Sequence, residues 1–380
     1  MNNTQTLVSF PNRNAGKQRY AVPHYNERRP RSSIVMRHGR TPCSIIPTSF
    51  MPTFFPRLTF SRRRFLQAAA LAACLPLVAC ESTVTTGGTF IQLWRDHLDW
   101  TREQWQRRLA TTRSLGCKTV FVQWVGIDGE DGPAWTAPDA LLQGLLDDCA
   151  QLGMTVHLGL PYDDRWWKVI GGADTGVLDS YLASTATRTT AWMREAPWPR
   201  HRAFQGWYLP YEIEQYSWSD PARVDRLVRW LNTLADVADA TSGHAPRVST
   251  FHSRLKTDAT LEGLWSVLLD RTQVYPMIQD GAGAQGMAAY EPLQPLHDLF
   301  VSRAVPFDLI VELFENLPPA QPGSDDFAAR SASYARVKAQ WNLARNYGAT
   351  DIVAFAVDPW VIGDKPGAEA LLDAWRRALG

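Results

Sequence analysis

Cysteine is scarce in this chain of 380 residues: there are five, and only Cys117 and Cys149 lie beyond residue 80. A fold of this size needs no disulfide staple, and two cysteines at this spacing match no zinc pattern. Both sit near predicted helix ends that face predicted strands, which reads as buried structural thiols. Histidine is sparse too, and the eight are scattered without a paired helical spacing, so no metal site is expected. No glycine-rich phosphate turn follows the first apolar stretch and no Walker-type loop exists, so no nucleotide cofactor is implied. No segment after residue 80 approaches a membrane-spanning length. Positive charge is missing from the body as well. Residues 1–80 hold twelve Lys/Arg against Glu27, which leaves 27 basic and 37 acidic residues in 81–380, about −10. Nucleic acid, which demands a basic face, is not the expected partner.

The basic segment has its own reading. Ser61-Arg62-Arg63-Arg64-Phe65-Leu66-Gln67 precedes an apolar run from Ala68 to Ala79, the layout of an export signal. The paired arginines resemble the bacterial twin-arginine signal. Leu77-Val78-Ala79-Cys80 resembles the lipobox of bacterial lipoproteins, implying a lipid anchor on Cys80 and a periplasmic or cell-surface location. A plain signal peptide with an incidental Cys80 is the alternative. The chain thus divides into 1–50, expected to be disordered; a signal, 51–80; a Ser/Thr/Gly linker, 81–88; and a body, 89–380. A signal does not belong behind fifty residues, so translation is expected to start at Met51 or Met36. Precursor peptides from before Met36 would contradict that.

The body alternates strand-like and helix-like periods without a break. Apolar β-type runs begin at Thr89, Thr119, Thr155, Gly206, Arg247, Gln273, Leu309 and Ile352, and helical periods follow each. The helices are punctuated by local signals. Thr101 with Gln104 forms a capping box, Asp220-Pro221 is a cap followed by proline at the first helical position, and Gly116, Gly153 and Gly348 stop helices. Helices are also expected over Ala288–Arg303 and Phe327–Tyr347. Eight βα units in about 300 residues is the count of an α/β (β/α)8 TIM barrel.

In such a barrel the loops after the strands form the open face. There the chain places Gln92 and His97, Gln123 and Trp124, Tyr211, Glu212 and Glu214, Gln279 and Asp280, Glu312 and Glu315, and Trp360. All sixteen tryptophans lie after residue 93. Flat rings against sugar C–H faces, with amides and carboxylates for hydroxyls, suit a carbohydrate cleft. Glycoside hydrolysis needs two carboxyl groups, one protonated and one ionised. Glu212 and Glu312, each inside an otherwise apolar run, are the catalytic pair expected. Glu214 and Glu315 compete with them, and Glu315 enters the cleft only if the chain turns after Phe314. Gln92, His97, Trp124, Tyr211, Glu214, Gln279, Asp280, Glu315 and Trp360 are the candidate substrate contacts. Each has a blander reading as a loop cap, turn former or packing residue.

Gly88-Thr89-Phe90-Ile91-Gln92, Val122-Gln123-Trp124, Gly206-Trp207-Tyr208-Leu209-Pro210-Tyr211-Glu212, Gln279-Asp280-Gly281 and Val311-Glu312-Leu313-Phe314-Glu315 carry a resemblance. They resemble bacterial domain-of-unknown-function family 4434, which is grouped with the glycoside-hydrolase TIM barrels. The resemblance covers nearly all of 88–380 and implies a barrel with glycosidase chemistry. In retaining barrel glycosidases the acid/base follows strand four and the nucleophile strand seven, which corresponds to Glu212 and Glu312. Such enzymes usually place Asn before the strand-four Glu; here Tyr211 stands there. The expected function is extracytoplasmic cleavage of a glycosidic bond in a poly- or oligosaccharide. The alternative is a non-catalytic polysaccharide-binding lipoprotein that uses the same cleft.

Overall fold

The computed structural model describes residue 84 and residues 86–129, 132–318 and 328–380. The expectations for the leader, including disorder over 1–50, the signal and the Cys80 anchor, lie outside the described residues. Eight parallel strands close into a barrel in chain order. They are β1 (Gly88–Ile91), β2 (Thr119–Val122), β3 (Thr155–Gly159), β4 (Phe204–Ile213), β5 (Arg247–Thr250), β6 (Tyr275–Gln279), β7 (Asp308–Glu312) and β8 (Asp351–Phe355). β8 returns to β1 through the register Gly88↔Val353, so no strand edge is left open. Outside them lie α1 (Arg102–Ser114), α2 (Asp139–Gln151), α3 (Thr175–Glu195), α4 (Pro221–Ser242), α5 (Leu261–Arg271), α6 (Gln294–Ser302), α7 (Tyr334–Asn346) and α8 (Ala368–Leu379). The (β/α)8 expectation is met.

Local chemistry sets the boundaries. Thr101 accepts from the Gln104 N–H while the Gln104 side chain accepts from the Thr101 N–H, so α1 starts where the capping box predicts. Two helices start later than their sequence pattern suggests. Pro292 and Pro295 lack N–H groups, so Gly286–Leu293 winds as a 3₁₀ segment and the α-helix begins only at Gln294. Before α7, Ala329–Ser331 pairs antiparallel with Phe314–Asn316 to make a rim hairpin, and Ser333 then caps the helix by accepting from the Arg336 N–H. A second rim sheet joins Trp135–Thr136, Gly126–Asp128 and Tyr162–Asp163. Cys117 and Cys149 are free and buried, and burial pushes both thiols up to about 12. They are inert packing groups.

Strand alternation sorts the barrel interior into layers. The middle layer is aromatic: Phe90 meets Phe121 at 5.2 Å, Tyr208 at 5.1 Å and Phe355 at 5.5 Å between ring centroids. The layer nearest the strand starts is ionic. Arg247 donates to Asp308 at 3.0 Å, and the Tyr275 hydroxyl donates to the other carboxylate oxygen at 3.1 Å. Asp308 is fully buried, so it depends on these partners. Arg247→Ala should cost about 3 kcal/mol by leaving that charge unpaired. A chemical-denaturation midpoint that does not move would contradict this.

Candidate active site

The layer nearest the strand ends is where the polar groups gather. On β4 the register pairs Leu209 with Val248 and Ile213 with Thr250, so four steps on β4 face two on β5. The strand bows outward in a bulge that contains Pro210, which has no N–H to lose from the ladder. The side chains of two neighbours at its end face opposite ways, as strand alternation requires. Glu212 turns inward and accepts from Gln279 Nε2 at 2.8 Å. Tyr211 turns outward, where its ring lies 5.0 Å from Trp166 and 5.3 Å from Trp230 of α4.

Glu312 ends β7, three strands from β4 around the barrel. One of its oxygens accepts from the Gly283 N–H at 2.7 Å. Gly283 must be glycine for this contact: a Cβ there would come within 2.8 Å of Glu312 Oε2 and 2.6 Å of the Phe314 ring. Arg336 from α7 clasps the strand end, donating to the carbonyls of Ala282 (2.7 Å), Glu312 (3.1 Å) and Phe314. Beneath lies Asp280, fully buried. It accepts from the N–H groups of Ala282 (3.0 Å) and Glu312 (3.3 Å) on one oxygen, and from Tyr290 (2.9 Å) and Gln340 (2.7 Å) on the other.

These surroundings set the proton affinities. Burial raises Glu212 to about 7, against the pull of the Gln279 amide. Glu312 rises to about 8, first through burial and then through the neighbouring Asp280, with Glu212 adding its own repulsion. The Gly283 N–H and Arg336 act in the opposite direction. Burial raises Asp280 as well, while its four donors favour the charged form. Near neutral pH both Glu212 and Glu312 therefore hold a proton for a large part of the time. A proton donor next to a potential anion is the equipment of acid-assisted bond cleavage.

The structure brings Glu212, Glu312, Gln279 and Gln92 to this inward layer, and it corrects several other expectations. Tyr211 is a packing residue on the outer face: its hydroxyl donates to Pro161 O and accepts from the Asp163 N–H, both at 3.2 Å. Glu214 caps its own turn by accepting from Tyr216 N and Ser217 N at 2.6 and 2.8 Å. Asp280 lies below the site and holds it in place. Glu315 sits on the rim hairpin, paired with Arg330 at 3.2 Å, because the chain breaks at Leu313 and starts a separate strand. Trp360 is buried against Phe314. His97 accepts from the Trp94 N–H at 2.8 Å and is lowered to about 4, first by burial and then by Arg108; it is a neutral structural group. Trp124 is almost wholly buried and donates its indole N–H to Leu93 O.

Tyr162 is the site residue that sequence reasoning missed. It stacks on Trp124 at 5.5 Å, and its phenol is raised first by burial and next by the charge of Glu212. Its only signal was an aromatic directly after the strand-breaking Pro161. Gly283 was signalled weakly by the glycine pair Gly281–Gly283. Arg336, two dozen residues from Glu312 on a surface-type helix, had none.

Residues 86–370 match the model of a family described as Domain of unknown function (DUF4434). The uncharacterized protein YbcH of Escherichia coli (strain K12) is 26% identical over 195 residues, which covers 50% of this chain and 62% of YbcH. The chain thus matches less than two thirds of that relative's length. Among solved structures, the "putative alpha-L-fucosidase" of Bacteroides thetaiotaomicron VPI-5482 superposes with a TM-score of 0.58 at 15% identity, covering 78% of this chain and 96% of that one. The endo-1,4-beta-mannanase of Rhizomucor miehei gives 0.46 at 13% identity, over 77% and 95%. The first of these likenesses establishes a shared barrel fold.

Proposed function

The chain belongs to the family DUF4434, so its activity has to be read from the site itself, and we propose that it is a glycoside hydrolase acting on a poly- or oligosaccharide. The observation that carries the reading is the pair Glu212 and Glu312: two carboxyl groups from barrel strands four and seven, in one inward layer, each raised by burial. The barrel shared with the "putative alpha-L-fucosidase" is consistent with it.

The mechanism is a two-step displacement with retention. Glu312 attacks the anomeric carbon as the glycosidic bond breaks, and Glu212 delivers its proton to the leaving oxygen. The product of this step is a glycosyl ester on Glu312. Water then attacks the same carbon, Glu212 takes the water's proton, and the Glu312 carboxylate leaves. The Gly283 N–H fixes one oxygen of Glu312, which orients the other for attack. Gln279 holds Glu212 in position for the proton transfer. Export by the twin-arginine signal and anchoring through Cys80 belong to the same proposal. Membrane fractionation of a Cys80→Ser variant tests them: release of the variant supports the anchor, and unchanged retention removes it.

A non-catalytic glycan-binding cleft is the second reading. The observation on its side is the raised pKa of Glu312, since a nucleophile must be ionised. A panel of polysaccharides and aryl glycosides decides between the two. Release of reducing ends by the wild type is the expected result. Glycan binding with no release would leave the binding module as the function.

A further inference from the structure

Gln92 and Gln123 directly follow β1 and β2, and the Gln123 N–H still bonds to Ile91 O at 2.9 Å, so the strand pairing continues to this level. Each lies two residues beyond Phe90 and Phe121, whose rings meet in the barrel interior, so both amides turn inward at the open end. They are only 7% and 6% exposed. Even so, Nε2 of Gln92 and Oε1 of Gln123 have no hydrogen-bond partner. A buried donor or acceptor left unpaired costs about 1–3 kcal/mol. One of each, on neighbouring strands, is a matched deficit.

The surroundings indicate what fills it. Trp94, partly exposed, stands edge-on to Trp124 at 5.1 Å, and Tyr162 continues this aromatic wall towards Glu212. The inward groups at the ends of β1, β2, β4, β6 and β7 are three amides and two carboxyls, with no cation among them. A hydroxyl both donates and accepts, so one hydroxyl, or an adjacent pair, satisfies both orphaned atoms. An anionic sugar would face two carboxyl groups, and the nearby cation, Arg336, is already committed to three backbone carbonyls.

We propose that Gln92 and Gln123 form a subsite that grips the ring hydroxyls of a neutral pyranose beside the glutamate pair and discriminates against uronic acids. The proposal rests on the hydrolase reading of Glu212 and Glu312. In it, Gln92 Nε2 donates to a sugar oxygen, a sugar hydroxyl donates to Gln123 Oε1, and the partly exposed Trp94, backed by the buried Trp124, takes the C–H face of the ring.

The test is calorimetric titration of the intact protein with neutral gluco-, manno- and galacto-oligosaccharides and with oligogalacturonate, with reducing ends followed in the same mixtures. Gln92→Leu and Gln123→Leu are compared with wild type. Neutral glycan is expected to bind, with affinity falling about tenfold in each variant. The melting temperature should hold or rise, because each substitution removes an orphaned buried group. The subsite is overturned if oligogalacturonate binds as tightly as neutral glycan, if the variants bind like wild type, or if the variants lose stability in step with binding. Binding that depends on the amides without release of reducing ends sinks the hydrolase reading and keeps the subsite. Release that ignores both substitutions does the reverse. If no neutral glycan binds or reacts, both fall together.

Discussion

Glu312→Gln is expected to lower the turnover of a neutral aryl glycoside by on the order of 10⁴-fold while leaving glycan affinity within a few-fold of wild type. The amide keeps the shape of the side chain and its contact with the Gly283 N–H, but it cannot attack the anomeric carbon. Glu212→Gln should lose less on substrates with a good leaving group, since an aryl oxide needs little protonation, and more on unactivated oligosaccharides. Azide separates the two roles. Added to a small, non-nucleophilic variant at the nucleophile position, it should form a glycosyl azide of inverted configuration; at the acid/base position the azide product retains configuration. Inverted azide from a residue-212 variant would exchange the two assignments.

The same substitution should reveal what the site costs the fold. The folded-state pKa of Glu312, about 8, lies above the ordinary carboxylate value, so the folded chain keeps a proton that the unfolded chain releases. That contribution to stability is fully present below about pH 4 and is lost as the pH rises through 8. Glu312→Gln should therefore melt at a higher temperature than wild type at pH 8 and close to it at pH 4. Equal melting curves at both pH values would contradict the buried, repelled state of this carboxyl group.

Asp280→Ala should be the most destabilising single change near the site, on the order of 5 kcal/mol. It strips one acceptor from four donors at once: two backbone N–H groups, the Tyr290 hydroxyl and the Gln340 amide. Asp280→Asn makes the sharper experiment. A hydroxyl can rotate, and Gln340 carries an unpartnered Oε1 that an asparagine amide could use, so the fold should survive. The loss of charge should then lower the Glu312 pKa and move the pH–rate profile towards acid. An unshifted profile in a folded Asp280→Asn protein would remove Asp280 from the electrostatics of the pair.

What was legible in the sequence follows physical lines. Inward parity along short strands is a local property, and it brought Gln92, Glu212, Gln279 and Glu312 to one layer. Tyr211 turns outward to the helices because it adjoins the inward Glu212, so the same alternation argued against it as a cleft residue; the β4 bulge, which depends on register with β5, is not local. Asp280 and Glu214 looked like site residues because carboxylates at strand ends are what a cleft needs. Glu214 is instead consumed by backbone donors of its own turn, and Asp280 by Ala282 N–H together with the distant Glu312 N–H, Tyr290 and Gln340. Helix starts were read well where a cap was explicit, as at Thr101, and too early where proline or a hairpin displaced the start, as at Gln294 and Tyr334.

The rim hairpin carries a consequence for how this protein can diversify. Its base is tied to the barrel by two backbone bonds, Leu313 N–H to Phe355 O and Ala332 N–H to Leu313 O, each 2.8 Å. Glu312 lies just inside that clamp and Glu315 just outside. Exchange or lengthening of the hairpin beyond Phe314, whose ring packs on Gly283 and whose carbonyl Arg336 holds, should leave Glu312 and its Gly283 contact undisturbed. Under the proposed function, descendants of this chain could acquire new preferences for the distal part of a glycan by trading one loop, without reinventing the chemistry beneath it.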